Sequence, residues 1–104
     1  MQKYNNHPVA IDFETEKIQP RPFYPPRPVG VAIKYYGQEA KYYAWGHVSD
    51  NNCTEDEARQ ALTEAYKNDG GIVMHNAKFD VEVASRFFGL VPPNPLLVHD
   101  TMLL

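Results

Sequence analysis

An α/β domain with helices packed on a mixed sheet is the fold class this sequence predicts, because strand-like and helix-like segments alternate along it. Short apolar runs at HPVAIDFE (7–14), GIVMH (71–75) and LLVHD (96–100) are separated by two stretches of helical period. Between the first strand and the first helix, VGVAIKYYGQEAKYYAWGH (29–47) holds two β-rich runs about Gly37, Gln38 and Glu39, a hairpin signal. With 104 residues the chain has room for a single core, since a domain of this size buries about 60 to 70% of its unfolded surface.

Each element has its own local reason. In the first strand Val9, Ile11 and Phe13 point one way and Ala10, Asp12 and Glu14 the other. KIQPRPFYPPRPVG (17–30) carries five prolines, so the segment reads as a loop or polyproline II stretch leading to the second strand. The tyrosines of the hairpin and Trp45 suit a pleated, half-buried surface, and stacking on bases is their alternative use. Thr54 with Glu57 forms a capping box, and Ala58, Ala61, Leu62, Ala65 and Tyr66 make the apolar stripe of the first helix, stopped by Gly70 and Gly71. AKFDVEVASRFFG (77–89) reads as a second helix with Phe79, Val83 and Phe87 on one face and Gly89 as its end. Asn76 is the expected cap of that helix, with Asp80 near its positive end and His75 at the strand edge. VPPNP (91–95) is a turn, and TMLL (101–104) looks like the first turn of a further helix.

Composition excludes several classes. The chain is 43% hydrophobic and 22% charged, ordinary for a globular domain, and no run approaches the roughly 20 apolar residues of a membrane span. No signal peptide is legible in MQKYNNHPVAIDF, so an intracellular, cytoplasmic location and no membrane partner are expected. Cys53 is the single cysteine and His7, His47, His75 and His99 are widely spaced, which argues against a disulfide or a structural zinc site. The net charge is −3, yet between Lys17 and His47 five bases face Glu39 alone, which permits a positive patch.

The acids are the candidate chemistry. Asp12 and Glu14, at i and i+2 on a strand, leave the same face about 6 to 7 Å apart. Two acids at the end of a buried strand are costly unless a cation compensates them, although a solvated strand end is the plainer account. Oxygen ligands of this kind suit Mg²⁺ or Mn²⁺. Two such ions about 3.5 to 4 Å apart would clamp a phosphodiester for in-line attack by water.

Taken together, AIDFETE (10–16), HNAKFD (75–80) and HDTMLL (99–104) resemble the DEDD superfamily of 3′–5′ exonucleases on the ribonuclease H-like fold. The nearest likeness is to the proofreading exonuclease domain of family A DNA polymerases, covering Val9 to Leu104. HNAKFD alone is also similar to the proofreading subunits of bacterial replicases. The resemblance implies that Asp12, Glu14 and Asp80 are catalytic and hold two Mg²⁺ or Mn²⁺ ions. It further implies that Asn76 matches the asparagine of the second motif, and that Phe13, Thr15, Asn76 and Phe79 meet the substrate. Asp100 is expected to be a structural or secondary residue, and a direct role for His75 is not implied. Expected partners are a single-stranded or frayed DNA 3′ end and a polymerase domain in the intact protein.

The family's third motif, with a fourth aspartate and a water-orienting tyrosine or histidine, lies beyond the segment matched by HDTMLL. Residues 1–104 are therefore expected to be the N-terminal portion of one exonuclease domain, with the Pro-rich loop at 17–28. The alternative is a catalytically incomplete fragment that binds nucleic acid, or that presents PFYPPR (22–27) as a Pro-x-x-Pro-x-Arg ligand for an SH3 module. Arg21 and Arg27 of the same loop could instead meet DNA phosphates.

Overall fold

The period-two pattern of VAIDFET becomes the central strand of the sheet. In the computed structural model, which describes residues 7–101, β1 spans Val9–Thr15. Its Val9, Ile11 and Phe13 are buried, whereas Asp12 and Glu14 are exposed. β2 (Pro28–Lys34) runs antiparallel to β1, with Ile11 opposite Ile33, Phe13 opposite Val31 and Glu14 opposite Gly30. β3 (Lys41–Ala44) completes the expected hairpin by pairing antiparallel with β2, Tyr42 opposite Ala32.

On the other side of β1 the chain enters in parallel. β4 (Ile72–Met74) pairs with β1, and β5 (Val98–Asp100) pairs with β4, giving the order β3-β2-β1-β4-β5. A parallel neighbour needs a crossover, and the two helices supply it. α1 (Glu55–Tyr66) starts on the predicted capping box: the Thr54 hydroxyl accepts from Glu57 N at 3.1 Å, and Glu57 Oε1 accepts from Thr54 N at 2.8 Å. α2 (Ala77–Phe88) ends at Gly89, whose φ of 68° is the left-handed conformation that glycine adopts without a Cβ penalty. A short 3₁₀ turn, Pro95–Leu97, leads into β5. The expected helical turn at TMLL falls largely on 102–104, outside the described residues.

Both helices cover the same face of the sheet. Val9, Ile11, Phe13, Val31 and Ile33 meet Leu62, Ala65 and Tyr66 of α1 and Val83, Ala84 and Phe88 of α2 in one cluster. Each large side chain buried there contributes about 1.5–3 kcal/mol. The opposite face, with Ala10, Asp12, Glu14, Ala32, Lys34 and Tyr42, is half-buried or exposed. The result is the mixed α/β sheet that the sequence predicts, compatible with a ribonuclease H-like exonuclease fold.

Three expectations need correction. The fully buried face of α2 is Ala77, Asp80, Val83, Ala84 and Phe88, while Phe79 and Phe87 are half-buried and pack against the edge of the core. That edge is covered by the Pro-rich segment, which folds onto the helix. Tyr24 lies against Phe79 with ring centroids 6.0 Å apart, the Arg27 guanidinium sits 5.4 Å over Phe87, and Arg21 pairs with Glu82 at 3.0 Å. The same packing corrects the polyproline reading. Phe23 N donates to Pro20 O in a turn, and Pro25 and Pro26 are buried, so PFYPPR does not present its second proline to an SH3 module. Finally, Asn76 stands at the N-cap of α2 but makes no side-chain capping bond.

Leu62 has no exposed surface and touches the sheet side of the core. Leu62→Ala is expected to cost about 2–5 kcal/mol in urea unfolding, against less than about 1 kcal/mol for Gln60→Ala on the exposed side of the same helix. Equal costs would mean that α1 is not packed through this face.

Candidate active site

The carboxyl ends of β1, β4 and β5 lie along one edge of the sheet, where α2 begins. In open α/β sheets this edge is where ligands bind, because loops and helix N-termini converge there. Three aspartates lie along it. Asp12 comes from β1, Asp100 ends β5, and Asp80 lies in the first turn of α2 with 3% of its surface exposed.

Asp100 does what Asn76 was expected to do. Met74 and Asp100 are register partners, which puts Asp100 beside the start of α2. Its Oδ2 accepts from Ala77 N at 3.0 Å. A carboxylate in this position satisfies one of the orphan N–H groups and complements the helix dipole. The cap is borrowed from a strand 23 residues away in sequence, so no local pattern could announce it.

Asp80 has the most perturbed carboxyl of the described residues. Burial pushes its pKa up to about 7, and the charges of Asp12 and Asp100 push in the same direction. The hydroxyl of Tyr66, buried nearby and without a hydrogen-bond partner among the described residues, is raised as well, by burial and by the charge of Asp80. Like charges around a desolvated carboxylate raise its energy, and a divalent cation would relieve all three at once. In donor chemistry the residues therefore fit a hard cation. In geometry, no three His, Cys, Asp or Glu side chains among the described residues are gathered into a ready coordination shell.

Glu14 has partners of its own. Its Oε1 accepts from the Tyr42 hydroxyl and lies 3.1 Å from His47 Nε2. Desolvation, then the bond to Glu14, pushes the Tyr42 hydroxyl up to about 12, so it remains a donor at neutral pH. Tyr42 and His47 were missed by sequence reasoning. Only the register of three strands brings them to Glu14, and tyrosines in a strand signal packing before anything else.

The remaining expected site residues divide. Asn76 is exposed beside the aspartates. His75 is exposed, its Nδ1 2.9 Å from Thr101 Oγ1, a side-chain partner and not a backbone one. The half-buried Thr15 donates its hydroxyl to Glu16 O at 3.0 Å. Phe79 is half-buried against Tyr24. Phe13 is in the core, 8% exposed and stacked on Phe88 at 6.3 Å, because it alternates with the two acids and so faces the helices. That placement removes it from a substrate-facing role. The bases also divide: Arg21 is tied to Glu82, while Lys17, Arg27 and Arg86 line a shallow pocket of about 260 Å³ beside Phe23. No helix among the described residues is long and apolar enough to cross a membrane.

The raised pKa of Asp80 makes a signed prediction about stability. Its folded value of about 7 lies above the ordinary 3.8, so the folded state binds the extra proton more tightly. The penalty of ionising it is absent below about pH 4, grows between about pH 4 and pH 7, and is complete above. Asp80→Asn is expected to stabilise the metal-free protein at pH 8 by on the order of 2–4 kcal/mol and to leave it unchanged near pH 4. Urea unfolding at the two pH values checks this, and an equal difference at both would refute the buried charge.

A comparison with curated proteins finds no match. A family model described as 3′–5′ exonuclease matches residues 1–104, the whole sequence given. The match covers the strand with Asp12 and Glu14 and the helix with Asp80. The chain belongs to the 3′–5′ exonuclease family, the one that resembles the proofreading domains of family A DNA polymerases.

Proposed function

We propose that the chain removes nucleotides stepwise from DNA 3′ ends by metal-dependent phosphodiester hydrolysis, with Asp12, Glu14 and Asp80 as the catalytic carboxylates. Family membership implies a nuclease acting on DNA. The observation that carries the assignment of residues is the buried Asp80, lifted by the charges of Asp12 and Asp100 at the carboxyl edge of the parallel strands. A buried acid crowded by two other carboxylates is the arrangement in which a bound cation would bring the largest electrostatic relief.

On this reading Asp12, Glu14 and Asp80 would hold two Mg²⁺ or Mn²⁺ ions, which when bound lower the pKa of water and offset charge on the phosphate. The chain's own residues do the rest. Asp12 and Glu14 stand on the face of β1 that carries no helix, so the DNA end approaches from that side. Asn76, with its amide not spent on capping, offers hydrogen bonds to the terminal nucleotide. Thr15 and Phe79 would border it, and Lys17, Arg27 and Arg86 would meet phosphates further along the strand in a salt-dependent way. Residues 1–104 then belong to a single exonuclease domain, working within the cell in proofreading alongside a polymerase domain.

Two measurements test the assignment. In a gel time course with a 5′-labelled single-stranded oligonucleotide, a ladder of shortened products is expected in Mg²⁺ and in Mn²⁺. Asp12→Ala is expected to slow it by at least about a hundredfold. In parallel, MgCl₂ is expected to raise the melting temperature of the wild type at pH 8 and not that of Asp80→Asn. A ladder of equal rate in Asp12→Ala would reject these carboxylates. DNA binding with neither hydrolysis nor metal stabilisation would reduce the chain to a binding module.

A further inference from the structure

The open face of the sheet holds a constructed hydrogen-bond cluster around Glu14. Tyr42, on β3, is two strands away from β1 and stands opposite Ala32, in line with Asp12 and not with Glu14. To reach Glu14 its ring crosses β2 diagonally, over Gly30. A Cβ at Gly30 would sit 2.8 Å from Tyr42 Cζ and closer still to its hydroxyl oxygen. The absence of a side chain at that one position is what lets the hydroxyl donate to Glu14 Oε1.

His47 reaches the same oxygen from the bend after β3. Its ring Nε2 is 3.1 Å from Glu14 Oε1 and 3.1 Å from the Tyr42 hydroxyl. The bend is itself pinned: His47 N donates to Asn51 Oδ1, and Asn51 Nδ2 donates back to His47 O, both at 2.9 Å. Trp45 N and Gly46 N both donate to Val29 O, which draws the segment onto β2. Two rings, one from β3 and one from the bend that follows it, thus converge on a single carboxylate oxygen. A glutamate on an exposed strand face otherwise samples many rotamers, and fixing one of them is a positional task.

We infer that Tyr42 and His47 are positioning residues that hold the Glu14 carboxylate by Oε1 and aim its other oxygen at the reacting centre, with Gly30 as the gap that admits Tyr42. The inference rests on the proposed role of Glu14 in hydrolysis and extends it to the two side chains that hold Glu14, one on β3 and one in the bend after it. Holding a charged group by a hydrogen bond reduces the reorganisation needed when the phosphate is attacked.

The test is a double-mutant cycle on the 104-residue chain with Tyr42→Phe, Glu14→Gln and the pair, together with Gly30→Ala. Tyr42 is 41% exposed, so loss of its hydroxyl is not expected to unfold the domain. Single-turnover hydrolysis of a 5′-labelled oligonucleotide in Mg²⁺ gives a limiting rate and a half-saturating DNA concentration. The ¹³C resonance of the Glu14 carboxyl, recorded without metal, reports the hydrogen bond independently of activity. Tyr42→Phe is expected to lower the limiting rate about 10- to 100-fold, to leave half-saturation in place and to shift the Glu14 resonance. In the Glu14→Gln background it should add no further loss. Gly30→Ala should reproduce both effects with the tyrosine intact. His47→Ala should shift the resonance and His47→Gln should restore part of it. A Glu14 resonance and rate unmoved by Tyr42→Phe, or losses that multiply across the cycle, would overturn the positioning role. If Glu14→Gln is as active as the wild type, the catalytic reading of Glu14 fails. The resonance then still decides whether Tyr42 holds it.

Discussion

Alternation along β1 is the constraint from which the rest follows. The strand is paired on both sides, so every second residue must enter the helix-covered core and the others must face the open side. Val9, Ile11 and Phe13 satisfy the first requirement, and Asp12 and Glu14 the second. A slip of one residue would bury two carboxylates under α1 and α2, at a cost no small domain could offset. The core and the candidate site therefore share one pattern: what makes the strand fold is what exposes its acids.

Around that strand, negative charge is concentrated in a way that runs against stability. Asp80 is buried on the inner face of α2, and the nearby charges of Asp12 and Asp100 make its ionisation harder. Asp100 is retained there for a second reason, since it caps α2 through Ala77 N. One carboxylate thus serves the fold while adding to the electrostatic load on its neighbour. The cost falls on the same edge at which the parallel strands end and a ligand would enter, as local conflicts in folded proteins tend to do.

Much of this was legible in the residues alone. The capping box of Thr54 and Glu57, the left-handed stop at Gly89, the hairpin about Gly37 and the alternation of β1 are local features, and each depends on contacts within a few residues. The association of the DxE strand with the helix that carries Asp80 is not of that kind and rests on the family resemblance. The misplaced features share the opposite property. Phe79 and Phe87 lie at the edge of the core, where the Pro-rich segment also packs on them. The capping duty of Asn76 passed to Asp100, and the polyproline reading failed once Pro25 and Pro26 packed inward.

Sequence by itself determined the order of elements, which residues of β1 face the core, and where the acids stand along the chain, because period and short motifs encode these directly. Tertiary structure alone decided which of those acids is buried, which one caps a helix, and that Tyr42 and His47 reach Glu14 across Gly30. Those outcomes depend on strand order and register, and a hydrogen bond between residues 28 apart in the chain has no local signal to carry it.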